Sequence, residues 1–157
     1  MRYFKGLFKK KTASLHMKKY LIVGLGNVGL EYDNTRHNVG FQILDRLAEK
    51  NELSWEIKKL AYHTVLRKKG KQFILIKPTT FMNRSGKAVR HWSLKENIPL
   101  ENILILTDEL HLPFGTIRIK TKGSPAGHNG LKDIESQLNT PHYARMRFGI
   151  GQEQKAF

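Results

Sequence analysis

Three short stretches of this 157-residue chain hold a high density of asparagine, histidine and aspartate. The first runs from Asn27-Val28-Gly29 to Thr35-Arg36-His37-Asn38. The second is KPTTFMNRSG at Lys77–Gly86, and the third joins Thr107-Asp108-Glu109-Leu110 to Gly127-His128-Asn129-Gly130. A histidine titrates near neutral pH and can take a proton from water. A carboxylate can orient that imidazole and stabilise its cation. Each asparagine amide offers a donor and an acceptor, which suits a carbonyl or a peptide backbone. Together these parts suit general-base chemistry on a carbonyl compound. A histidine base supplies ~10²–10⁴-fold, or about 3–5 kcal/mol of barrier. Other chemistries lack their parts. The chain has no cysteine and no GxSxG elbow, so a covalent acyl-enzyme has no obvious nucleophile. Its seven histidines show no HExxH or other close pairing, so neither a metal site nor a cofactor is expected.

Every one of these residues also has a plain structural use. His37 can be a loop histidine bonded to a backbone carbonyl, and Asp108 can close the turn after a strand. Asn83 can cap the following helix, Asn27 can occupy a turn with positive φ, and Met82 can fill core. Lys120 and Arg147 can be solvated charges. Residue type alone leaves these alternatives open.

The elements that must position the loops are legible from periodicity. Tyr20–Leu25 is an apolar run closed by glycine, as a buried strand requires. Asn38–Lys50 places Phe41, Leu44, Leu47 and Ala48 at helical spacing. Tyr62–Leu66 and Gln72–Lys77 are strand-like runs around the turn Lys68-Lys69-Gly70-Lys71, with Pro78 ending the second. Ser85–Glu96 reads as a helix, Ile103–Thr107 as a buried strand, Thr116–Thr121 as a strand, Gly130–Leu138 as a helix and Arg147–Ile150 as a last strand. Alternating strands and helices argue for a layered α/β domain, and the hairpin makes its sheet mixed. Ligands in such sheets bind beyond the carboxyl ends of strands, where these loops can converge.

Gly24-Leu25-Gly26-Asn27-Val28-Gly29 matches GxGxxG directly after the first strand. A dinucleotide turn would start a helix within the glycines, with Asp45 or Glu49 on the ribose. Here the glycines lead into Leu30–His37, which carries Glu31 and Asp33 and no helical stripe, so that reading fails on context.

Lys+Arg total 28 against 13 Asp+Glu, a net charge of +15. Seven of those charges lie in the first 19 residues, which hold no acid, leaving +8 for the rest. Such an excess points to a polyanion, most commonly nucleic acid. Residues 1–16 read as a basic, disordered extension, with Met17 the expected natural start and residues 17–157 the single domain. The longest apolar runs, such as Phe73–Ile76 and Ile103–Leu106, are far too short to span a bilayer.

The stretch Leu21–Phe41, KPTTFMNRSG at Lys77–Gly86, DELHLPFG at Asp108–Gly115 and GHNGLKDI at Gly127–Ile134 together resemble bacterial peptidyl-tRNA hydrolases, in order and spacing, across Tyr20–Gly151. The resemblance implies a twisted mixed sheet flanked by helices on both faces, of the phosphorylase/hydrolase-like kind. It implies cleavage of the ester between a peptide and the 3′ ribose of tRNA by a cytoplasmic monomer. It implies that His37 is the general base and that Asp108, 71 residues later, holds its tautomer. Asn27 and Asn83 would hold the peptide, Asn129 the substrate carbonyl or the water, and Tyr32 and Met82 would shape the pocket. His128 would support that wall, and Lys120 and Arg147 would contact the tRNA backbone. An alternative is a non-catalytic RNA-binding module on the same fold, similar to plastid intron-splicing relatives. Val28 stands where the family usually has proline, and His111 where it often has aspartate. Family members also continue beyond the equivalent of Gly151 with a C-terminal helix that helps cover the cleft, so the chain is expected to be short there.

Overall fold

The computed structural model describes residues 17–151; the expected extension at residues 1–16 and the last six residues lie outside them. Strands β1 (Lys18–Gly24), β2 (Glu56–Lys58), β3 (Ala61–Lys68), β4 (Lys71–Pro78), β5 (Ile103–Glu109), β6 (Ile117–Lys120) and β7 (Ala144–Gly149) form one sheet in the order β2-β3-β4-β1-β5-β7-β6. The four central strands run parallel, with β1 between β4 and β5, and β7 beyond β5. Antiparallel partners close both edges: β2 and β3 on one side, β6 on the other.

Helix α1 (Val39–Lys50) covers one face of the sheet, and α2 (Ser85–Lys95) with α3 (Asn129–Leu138) covers the other. Under α1 lie Leu44, Leu75 and Leu106, with Ile22, Leu47 and Trp55 around them. The opposite core packs Leu21, Val23, Ile74, Ile76, Ile103 and Ile105 of the sheet against Val89, Trp92, Leu131 and Ile134. Burial of these alternating faces is the main source of stability. The arrangement is the α/β domain with a mixed sheet expected from the pattern, with helices on both faces as the resemblance implied.

Local chemistry sets the ends of the elements. The β3–β4 hairpin turns through Lys69 and Gly70, both at positive φ (52° and 72°), as a two-residue primed turn requires. Asn139 closes α3 in the left-handed region, where an asparagine is tolerated. Two elements differ from the reading of the sequence. Strand β2 was not anticipated, because its three residues are all exposed and carry no alternation. Strand β7 begins at Ala144, three residues early, because its inward positions include Arg145 and Arg147 in place of apolar residues. Arg145 is fully buried and lies 3.9 Å from the centre of the Tyr143 ring.

Candidate active site

Glycines seat the first helix unusually close to the sheet. A β-carbon on Gly40, in the first turn of α1, would lie 2.4 Å from the Leu25 carbonyl oxygen and 2.8 Å from that of Leu106. One on Gly24 would meet the Gly40 carbonyl at 2.4 Å, and one on Gly26 the Phe41 ring at 2.7 Å. The GxGxxG stretch therefore serves helix-to-strand contact. It is followed by a 3-10 turn at Leu30–Tyr32, and α1 begins only at Val39, so no helix N-terminus faces the glycines as a dinucleotide site requires.

This close seating brings the turn that precedes α1 over the end of β5. His37 belongs to the 3-10 turn Arg36–Asn38, and its Nδ1 lies 2.9 Å from Oδ2 of Asp108, the penultimate residue of β5. The Arg36 guanidinium donates to the Ile150 carbonyl at 2.9 Å and sits over the Phe114 ring, tying the turn to the end of β7. Asp108 is buried while the His37 side chain is 54% exposed. With the carboxylate accepting at Nδ1, the proton resides there and the lone pair of Nε2 is left free, on a largely solvent-exposed ring.

Asp108 has a second partner. The Nε2 of His128 lies 2.9 Å from Oδ1 of Asp108 and 2.8 Å from the Thr107 hydroxyl. Its Nδ1 accepts the backbone N–H groups of Gly130 and Leu131 at 3.1 and 3.3 Å, capping α3. An atom that accepts two N–H groups carries no proton, so the His128 proton is on Nε2 and is donated toward Asp108. Burial alone pushes the Asp108 carboxyl up, but the hydrogen bonds from His128 and His37 outweigh it and hold it below the usual carboxylate value. The result is a carboxylate clamped between two imidazoles.

The remaining expected residues lie in the segments that follow β1 and β4 and at the start of α3. Asn27 follows β1, and both its backbone groups are held by the buried side chain of Asn38: Asn27 N–H donates to Oδ1 at 2.7 Å, and Nδ2 donates to the Asn27 carbonyl at 2.9 Å. Asn27 and Tyr32 line a cleft of about 390 Å³ with Thr80 and Phe81. Met82 and Asn83 sit in the 3-10 turn before α2, where Met82 abuts Gly130 of α3. Asn83 and Asn129 are exposed, Asn129 next to His128. The amides of all three loops thus approach one end of the sheet.

The two expected RNA-contacting cations occupy different surroundings. Lys120 is exposed on the edge strand β6. Arg147 is only 9% exposed; it lies 3.7 Å from Glu109 and donates to the Ser124 carbonyl at 2.8 Å. Its guanidinium braces the loop after β6. Sequence reasoning placed Asn38, Arg36 and Thr107 within the polar loops but gave none of them a role. Asn38 could have been found as a polar residue at the start of a helix packed on glycines, whereas the other two carry no local signal.

The profile of the family described as "Peptidyl-tRNA hydrolase" matches residues 21–156. The peptidyl-tRNA hydrolase of Bacteroides fragilis is 62% identical over 135 residues, covering 86% of this chain and 72% of that protein. That of Cytophaga hutchinsonii is 53% identical over the same shares. The crystal structure of peptidyl-tRNA hydrolase from Acinetobacter baumannii superposes with a TM-score of 0.81 at 42% identity, covering 89% of this chain and 73% of that one.

Proposed function

The chain belongs to the peptidyl-tRNA hydrolase family, and on that premise we infer that it releases tRNA from peptidyl-tRNA with His37 as the base that activates water. The observation that carries the assignment of the base is the 2.9 Å contact between His37 Nδ1 and Asp108, which leaves Nε2 free to accept a proton. As water attacks the ester carbonyl, its proton passes to Nε2. The imidazolium that forms is stabilised by the ionised Asp108, which does not itself take the proton. The C–O bond to the 3′ ribose then breaks, and the proton on His37 goes to the departing ribose oxygen. Carboxylic acid and free tRNA leave, and the base is restored.

In this reading Asn129 holds the developing oxyanion or the water, and Asn27 and Asn83 hold the peptide portion. Tyr32 and Met82 shape the cleft beside them. His128 acts through Asp108, keeping it ionised at the cost of no proton. Lys120 meets a tRNA phosphate from the exposed sheet edge, and Arg147 serves that contact by fixing the Ser124 segment. A monomer is part of this reading, and a substrate made during translation supports action in the cytoplasm. None of the helices among the described residues is long and apolar enough to cross a membrane. The comparisons lend no support to a non-catalytic RNA-binding module.

The test is release of tRNA from N-acetyl-aminoacyl-tRNA by wild type and His37→Ala. The variant is expected to lose at least ~100-fold in turnover while binding tRNA almost normally. Retained turnover would remove His37 from the role of base.

A further inference from the structure

We propose that the cleft between Lys59 and helix α2 is a subsite for acidic side chains of the peptide moiety, a few residues upstream of the ester; this rests on the reading of Asn27 and Asn83 as the amides that hold the peptide. The cleft has a volume of about 700 Å³. Lys59 lines one wall, and Asn83, Arg84, Lys87 and Arg90 line the other. Among the described residues, none of these four cations lies within ion-pair distance of a carboxylate. The carboxylate that lines the cleft, Asp133 of α3, accepts the Gly86 N–H of α2 at 2.7 Å. The cleft therefore presents an excess of cations without internal partners, next to the apolar side chains of Leu60 and Leu94.

Position decides which polyanion reaches it. Leu60, Arg84 and Lys87 are shared with the smaller cleft that holds Asn27, Tyr32 and Phe81, so the two clefts are continuous. A peptide held at Asn27 and Asn83 has its upstream residues along this path. The path runs toward the β2–β3 edge of the sheet, whereas Lys120, the exposed cation assigned to RNA, stands on β6 at the opposite edge. The scissile ester between them separates an RNA side from a peptide side. Apolar walls with cations at the rim suit carboxylate side chains on short methylene stems.

The experiment measures kcat/KM for tRNA release from three substrates on one tRNA: N-acetyl-aminoacyl-tRNA, and peptidyl-tRNAs carrying either Glu-Glu or Lys-Lys upstream. The Glu-Glu substrate is expected to exceed Lys-Lys by roughly three- to tenfold at low ionic strength, as one or two exposed ion pairs allow. The gap should narrow as salt is added. Arg90→Glu combined with Lys59→Glu is expected to abolish or invert the preference, with N-acetyl-aminoacyl-tRNA turnover unchanged. Equal rates for the Glu and Lys peptides overturn the subsite, even with normal turnover of the N-acetyl substrate, which leaves the catalytic reading standing. A double variant that slows all three substrates by one common factor also overturns it, since the cleft would then be an RNA contact.

Discussion

Replacing His128 with alanine removes, among its contacts, a helix cap and a bond to Asp108 whose sizes can be worked from the structure. Its Nδ1 caps α3 by accepting the N–H groups of Gly130 and Leu131, and losing such a cap costs about 1 kcal/mol. Its Nε2–H reaches Asp108 at 2.9 Å, and a hydrogen bond to a charged group contributes about 1.5–3 kcal/mol. Both side chains are shielded, at 15% and 8% exposure, so solvent screening takes little from that figure. His128→Ala should therefore lower stability by about 2.5–4 kcal/mol at neutral pH, the sum of those two terms. Urea unfolding followed by the fluorescence of Trp55 and Trp92 would measure it. In an Asp108→Ala background the acceptor is gone together with its charge, and the cost should fall to about 1 kcal/mol, the cap alone. The double-mutant cycle isolates a coupling of about 1.5–3 kcal/mol. The pH dependence has a definite sign. Asp108 is held below the usual carboxylate value in the folded protein. Its stabilisation is thus complete above that usual value and disappears as pH falls through the lowered folded value. The gap between wild type and His128→Ala should shrink in the same acid window. Equal His128→Ala costs in both backgrounds, within about 0.5 kcal/mol, would refute the charge-assisted clamp.

Two further substitutions probe the positioning of the site. Asn38→Ala leaves both backbone groups of Asn27 without their partner, so stability should fall by about 1–3 kcal/mol and KM for peptidyl-tRNA should rise more than kcat falls; Asn38→Asp, which keeps only the acceptor, should be intermediate in urea unfolding and steady-state kinetics. Gly40→Ala puts a methyl group against the Leu25 and Leu106 carbonyls, costing about 1–3 kcal/mol and shifting the His37 turn away from Asp108. Turnover should drop at least tenfold, whereas Gly70→Ala, whose methyl meets nothing within 4 Å, should leave turnover intact despite strain at its positive φ.

Much of this protein was open to reading before any coordinates. Periodicity located nine of the ten strands and α-helices among the described residues, because a strand or helix buried on a particular face must repeat its apolar residues at 2 or 3.6. The glycine motif could be refused as a nucleotide turn, because a helix start is a local property. The three polar loops stood out because so many amides and imidazoles have no use in a core. Charge pointed to a polyanion without saying where it would lie.

The structure decided what local pattern cannot carry. His37 and Asp108 are 71 residues apart, and their contact depends on parallel pairing of β1 with β5 and on the absent β-carbons of Gly24, Gly26 and Gly40. The proton of His128 is placed by two backbone N–H groups that exist only once α3 has formed. Strand β7 began earlier than its pattern because Arg145 and Arg147 point inward, held by carbonyls, a carboxylate and the ring of Tyr143. Residue types and their spacing along the chain limited the chemistry on offer, since reactivity belongs to functional groups. Which groups meet, and which nitrogen is left with a free lone pair, is a matter of distances between segments remote in sequence, and those arise only when the sheet and its helices pack.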